Sequence, residues 1–130
     1  MNSRILIVDD NPVNLKLAAD VLESASFAID RAIDAEQAQC MLTGTLPDLI
    51  LMDIALPGMD GLTLTRKLKA DPRFKEIPII VLTASAMKGD DRKALEAGCT
   101  SYITKPIDTR KLAQQVQAIL DSAPGARRDK

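Results

Sequence analysis

Apolar residues fall along this chain in two alternating rhythms. The short runs Ile5-Leu-Ile-Val8, Leu49-Ile-Leu-Met52 and Ile77-Pro-Ile-Ile-Val-Leu82 are continuously apolar, with no polar side chain to turn toward water. A half-exposed strand would alternate, so these runs predict strands buried on both faces, as in a parallel sheet covered by helices. The segment from Phe27 to Ala32 predicts a weaker edge strand. Tyr102-Ile103 is too short to stand alone but occupies the fifth place in the same order.

Between the runs the spacing becomes helical. Val13, Leu17, Val21 and Leu22 recur at close to four-residue intervals behind Asn11-Pro12, where Asn11 can cap and Pro12 suits a first helical position. Asp34 can cap a second helix with Ala38, Met41 and Leu42 inward, and Leu62, Leu64 and Leu68 mark a third that closes near Asp71-Pro72. Residues Ala86 to Ala97 predict a fourth, stopped by Gly98, and Asp108 can cap a fifth with Leu112, Val116, Ile119 and Leu120 inward. Strands alternating with helices of this length predict an α/β domain of five β/α units, a parallel sheet with right-handed crossovers and helices on both faces. We expect this domain to span residues 1–122, followed by a flexible polar tail over 123–130 that ends in Arg-Arg-Asp-Lys.

Composition narrows the chemistry. The chain has 130 residues, room for one domain and no second catalytic one. It contains no histidine, which removes Ser-His-Asp, Cys-His and His-zinc mechanisms for this chain acting alone. Any acid-base or metal chemistry falls to carboxylates. A net charge of -1 gives no overall attraction to nucleic acid or anionic membrane, and neither a helix-turn-helix nor a basic face is evident. Cys40 and Cys99 are far apart and form no CxxC, so both read as reduced thiols. The opening apolar run is too short for a signal peptide and no later run approaches a membrane span; the expectation is a free-standing cytoplasmic protein.

The polar residues that matter follow the strands. The first run hands over to Asp9-Asp10, the third strand to Asp53, the fourth to Thr83 and the fifth to Thr104-Lys105-Pro106. Ligands of open parallel sheets bind beyond the carboxyl ends of the strands, where strand order reverses. Carboxylates gathered there repel one another unless a cation joins them, and oxygen-only ligation suits Mg²⁺. Asp53 would then be free to attack phosphorus, with Lys105 neutralising charge on the transferring phosphoryl group and the Thr83 hydroxyl donating to its oxygens. Singly, each of these residues is as well explained as a helix cap, a turn residue or a packed side chain. Gly58 and Gly61 serve the turn after Asp53, since nothing matches a nucleotide-binding glycine loop.

The combination of Asp9-Asp10, the run Leu51-Met-Asp-Ile-Ala-Leu-Pro-Gly-Met-Asp-Gly61, Thr83-Ala84 and Lys105-Pro106 resembles the receiver domain of two-component response regulators. The resemblance covers roughly residues 4–121 and is nearest to stand-alone receivers such as CheY or DivK. It implies the (βα)5 doubly wound flavodoxin- or CheY-like fold with strand order 2-1-3-4-5. It further implies that Asp53 is the phosphoacceptor for a histidine kinase or histidine phosphotransfer protein. Asp10, Asp53 and the Ala55 backbone carbonyl would ligate Mg²⁺, while Asp9 completes the acidic pocket, through water. Lys105 would contact the phosphoryl group, with a cis bond to Pro106. Thr83 and Tyr102 would be the switch pair, small Ala84 would keep the site accessible, and the surface of the fourth helix, fifth strand and fifth helix would be remodelled for a downstream protein effector. On this resemblance the chain is a monomer or a weak phosphorylation-dependent dimer, with no direct contact to nucleic acid or membrane. Ala55 stands where larger or polar residues are common, which would leave a phosphoaspartate open to water.

Three other readings compete. A haloacid-dehalogenase-like phosphohydrolase carries its nucleophile on the first strand in a DxD pattern and needs a cap domain, unlike this chain. A flavodoxin relative would need aromatics to stack a flavin, and only Phe27, Phe74 and Tyr102 are present. A scaffold that works unphosphorylated would have no use for an intact acidic pocket.

Overall fold

The computed structural model describes residues 3–56, 58–83, 90–105 and 107–122. The continuous apolar runs become β1 (Arg4–Val8), β3 (Leu49–Asp53) and β4 (Ile79–Thr83), joined by β2 (Ala28–Ala32) and β5 (Ser101–Thr104). All pairings are parallel, in the order β2-β1-β3-β4-β5. The helices between them are α1 (Pro12–Ser24), α2 (Ala35–Leu42), α3 (Gly61–Ala70), α4 (Asp90–Glu96) and α5 (Leu112–Ser122). Strand order reverses between β1 and β3, which is where a fold of this kind opens its ligand crevice.

Successive strand residues point to opposite faces, so each apolar run feeds two cores. Leu6, Val8, Ile50, Met52, Ile79 and Val81 pack under α2, α3 and α4 with Ala38, Leu64 and Ala94. Ile5, Ile7, Leu49, Leu51, Ile80 and Leu82 pack under α1 and α5 with Leu22, Leu112 and Val116. The two layers are why the runs in β1, β3 and β4 are continuously apolar: both faces of these inner strands are covered.

Helix starts follow the expected caps. Asn11 Oδ1 accepts from the Val13 and Asn14 amides at 2.9 and 3.2 Å, and Asp34 Oδ1 from the Gln37 amide at 2.8 Å. Details differ at three places. β4 begins at Ile79, because Pro78 has no amide to donate and the Ile77 amide closes a turn onto the Phe74 carbonyl. Asp108 initiates a turn that accepts the Lys111 and Leu112 amides before α5 proper begins at Leu112. The inner face of α1 is Leu15, Ala18, Ala19 and Leu22, so that Val13, 73% exposed, and Leu17 lie on the outside. Small alanines let α1 sit close to the sheet, and the bulkier i, i+4 pair is left facing water. The first residues expected in the fourth helix, 86–89, and the polar tail, 123–130, lie outside the described residues, as do Ala84 and Pro106.

Candidate functional site

Strand register alone assembles the pocket. Val8 pairs with Met52, so the next residues, Asp9 and Asp53, leave adjacent strands side by side. Asp53 pairs with Leu82 and Thr83 with Thr104, which sets Thr83 one step and Lys105 two steps beyond the acid pair along the same edge. The pairing continues into the loops: the Asp9 amide donates to the Ala32 carbonyl at 3.0 Å, the Ile54 amide to Leu82 at 3.0 Å and the Lys105 amide to Thr83 at 2.7 Å. Each functional side chain thus stands on the last hydrogen-bonded residue of a strand or the one after it. That is rigid support for a site at a loop-rich edge.

Asp9 and Asp53 are almost completely buried, 1% and 2% exposed, Thr83 is buried, and Asp10 is exposed beside them. One carboxylate oxygen from each of Asp9, Asp10 and Asp53 can be chosen so that all lie within 4.8 Å of one another. Lys105 Nζ lies 3.0 Å from Asp53 Oδ2 and 4.0 Å from Asp9 Oδ2. The Ala55 amide donates to Asp53 Oδ1 at 3.0 Å, and the Asn11 amide to Asp9 Oδ1 at 2.9 Å. Asp53 is therefore held at both oxygens, whereas Asp9 Oδ2 is the one buried side-chain oxygen or nitrogen with no hydrogen-bond partner among the described residues. Burial, reinforced by the negative charge of Asp53 and opposed by the Asn11 amide and Lys105, pushes the Asp9 carboxyl up to about 6.

A buried carboxylate oxygen with no hydrogen-bond partner, among hard oxygen donors, is disfavoured as it stands and suited to a hard divalent cation. With no nitrogen or sulfur donor in the cluster, Mg²⁺ fits best. Asp9, Asp10 and Asp53 could hold it from their side chains. Ala55 lies exposed two residues after Asp53, tied to it through its amide.

Asp9, Asp10, Asp53 and Lys105 converge, and register places Thr83 on the same edge. Tyr102 stands apart, half-buried on β5 and packed against the core under α2, α3 and α4. Met52 is wholly buried and Met59 partly so, as packing residues, and both cysteines are free, Cys40 exposed and Cys99 buried. The sequence reading missed how closely Gly61 meets Asp53, since a glycine in a turn carries no sign of what its missing side chain would touch. It also gave Asn11 only a capping role, while its amide is the Asp9 partner.

The sheet order and the acidic pocket at its switch point define a doubly wound protein with a candidate cation site at the carboxyl edge of its sheet. The chain belongs to the response regulator receiver domain family, whose model matches residues 5–117. It is 38% identical over 123 residues to the polar-differentiation response regulator DivK of Brucella ovis, covering 95% of this chain and 100% of DivK. It is 40% identical over 119 residues to the response regulator PleD of Caulobacter vibrioides, of which it spans only 26%. Among solved structures, the receiver domain of the sensor histidine kinase PA1611 of Pseudomonas aeruginosa superposes with a TM-score of 0.83 at 36% identity. That match covers 91% of this chain and 97% of the other, and the PA1611 domain holds a magnesium ion coordinated in its active site cleft. The fold is thus CheY-like and the domain one of two-component signalling. No helix among the described residues is long and apolar enough to cross a membrane.

Proposed function

We propose that this chain works as a phosphoacceptor receiver, a switch that takes a phosphoryl group onto Asp53 from a phosphohistidine donor and signals through protein contact. The observation that carries the reading is the setting of Asp53: buried, held at Oδ1 by the Ala55 amide, 3.0 Å from Lys105 and flanked by Asp9 and Asp10. An Asp53 oxygen attacks phosphorus; the O–P bond forms as the P–N bond breaks, and its electron pair stays on the donor's imidazole nitrogen. Lys105 supplies positive charge where the phosphoryl oxygens gather, and Thr83, on the neighbouring strand, donates its hydroxyl to them. Asp10, Asp53 and the Ala55 carbonyl would hold Mg²⁺, with Asp9 acting through water, and the bound ion would supply positive charge to the acidic pocket and the phosphoryl group.

Lys105 thereby exchanges the Asp53 carboxylate for the larger phosphoryl anion, and Thr83 and Tyr102 carry the change toward α4, β5 and α5. The partners are a histidine kinase or phosphotransfer protein upstream and a protein effector downstream, in the cytoplasm, with the chain a monomer or a weak phosphorylation-dependent dimer. The functional domain covers residues 1–122. Exposed Ala55 leaves the acyl phosphate open to water, so Ala55→Arg slows loss of the adduct.

Phosphoramidate, a small donor with a P–N bond, tests the reading. Full-length protein with MgCl₂ is expected to gain one hydroxylamine-labile phosphoryl group, accompanied by altered amide exchange in α4, β5 and α5. Phosphorylation with changes confined to the pocket would leave an acceptor without a switch, and labelling on another residue would overturn the assignment.

A further inference from the structure

The connection that carries Ala55 leaves the sheet at Ile54 and re-enters regular structure at Gly61, the first residue of α3. Two of its glycines are there for different reasons. Gly58 has a φ of +74°, and a Cβ added to it would have nothing within 4 Å, so backbone angle alone favours glycine. Gly61 lies outside the left-handed region, yet a Cβ there would overlap the Asp53 carbonyl oxygen, 2.9 Å from Ile54 Cα and 3.0 Å from the Asp53 carbonyl carbon. All three atoms belong to the backbone of the strand end that bears Asp53. None can swing aside as the tip of a flexible side chain would.

Hydrogen bonds draw the same groups together. The Gly61 amide donates to the Ile54 carbonyl at 3.0 Å, and the buried Thr65 hydroxyl donates to the Gly61 carbonyl at 2.7 Å. Asp60 caps the helix by accepting the Thr63 amide at 2.8 Å. On the strand side, the Ile54 amide is tied to Leu82 and the Ala55 amide to Asp53 Oδ1. The first turn of α3 is therefore seated directly on the Asp53–Ile54 peptide, and both ends of the connection meet at the base of the pocket.

We propose that Gly61 is a positioning residue, whose lack of a side chain lets α3 clamp the 54–61 connection shut and so sets where the Ala55 carbonyl and the Asp53 carboxylate face the cation. The inference rests on the reading of the pocket as a Mg²⁺ site and adds the device that shapes it. Gly61 touches neither cation nor phosphoryl group; it acts through the peptide it abuts.

Linkage supplies a test on the unaltered protein. If closure positions the ligands, Mg²⁺ must tighten closure by the same free energy. In the ¹⁵N-labelled full chain, saturating MgCl₂ is expected to slow exchange of the Gly61 amide about tenfold more than that of the Phe27 amide, which closes the distant α1–β2 turn. Equal slowing at both sites would mean general stabilisation and would overturn the clamp. In a second arm, calorimetric titration with MgCl₂ compares Gly61→Ala with Gly58→Ala, both made in the full chain. Gly61→Ala is expected to weaken Mg²⁺ binding about tenfold or more, while Gly58→Ala stays near wild type. Wild-type affinity in a folded Gly61→Ala protein contradicts the proposal. Should that variant not fold, the exchange comparison decides. Wild-type protein that binds no Mg²⁺ brings down the reading of the pocket and the clamp together, which separates that failure from failure of the clamp alone.

Discussion

At the amino ends of the strands, Arg4 is satisfied at both its polar groups: its guanidinium reaches both oxygens of Asp30 at 3.0 and 3.1 Å, and its backbone amide donates to Asp48 at 2.8 Å. At the carboxyl ends, Asp9, Asp10 and Asp53 crowd one lysine, and a buried Asp9 oxygen has no hydrogen-bond partner. The first edge is partly exposed and electrically satisfied; the second is buried and is not. A fold under no other demand would arrange both edges like the first, because an uncompensated buried charge opposes folding. The difference marks the carboxyl edge as the place where stability yields to function, and it can be attacked from either side.

The largest effect is expected from the lysine. Lys105→Met should lower the rate of phosphoryl labelling by acetyl phosphate about 100-fold, whereas Arg4→Met at the opposite edge should leave it near wild type. Initial rates of adduct formation by intact mass give the comparison, and similar losses in both variants would erase the distinction between the edges.

Next comes a change of opposite sign in two properties. Asp9→Asn removes a charge that burial disfavours, so it should raise the metal-free unfolding free energy by about 2 kcal/mol while weakening Mg²⁺ binding about tenfold or more. Urea unfolding in EDTA and calorimetry with MgCl₂ measure the two halves. An Asp9→Asn protein less stable than wild type would contradict the picture of a strained acid pocket.

The same residue fixes a pH dependence. Asp9 titrates near 6 in the folded chain against an ordinary value of 3.8, so between these values the folded state binds more protons than the unfolded state. Its contribution to metal-free stability is thus greatest below about 4, falls as pH rises through 6 and is constant above. Mg²⁺, which competes with that proton, should bind more tightly as pH rises through the same window. The stability difference between wild type and Asp9→Asn, followed from pH 4 to 7, isolates the group; a difference that stays flat would be evidence against the raised value.

The smallest effect belongs to the satisfied edge. Asp30→Asn breaks a half-exposed ion pair and should cost less than about 1 kcal/mol with Mg²⁺ affinity unchanged, as read by the same urea and calorimetric measurements.

Much of this contrast is legible in the sequence because a parallel sheet covered on both faces leaves few places for charge. The runs at Ile5, Leu49 and Ile79 declare the strands, and a polar group at the end of each declares the functional edge. Strand order is not carried by periodicity; it came with the resemblance to receivers, and the β1–β3 pairing bears it out. Hydrophobic spacing points to Val13 and Leu17 on α1, but the buried seam uses Ala18 and Ala19, since closeness of approach to the sheet outweighed side-chain size. Ile77 reads as strand until Pro78 is weighed as a missing donor. The unequal burial of Asp9 and Asp10 follows from their pointing to opposite sides of a chain leaving a strand, a consequence of alternation that neighbouring identical residues conceal. The Gly61 contact is beyond local pattern altogether, because it depends on how a helix eight residues later meets the strand end.

The central claim is that the unsatisfied edge is a cation-dependent phosphoacceptor with Asp53 as the accepting group. Intact-protein mass after incubation with acetyl phosphate, with and without Mg²⁺, on wild type and Asp53→Asn tests it most directly. One labile phosphoryl adduct that requires both Mg²⁺ and Asp53 is the expected result. No adduct under conditions that label a known receiver, or an adduct that persists in Asp53→Asn, would contradict the account.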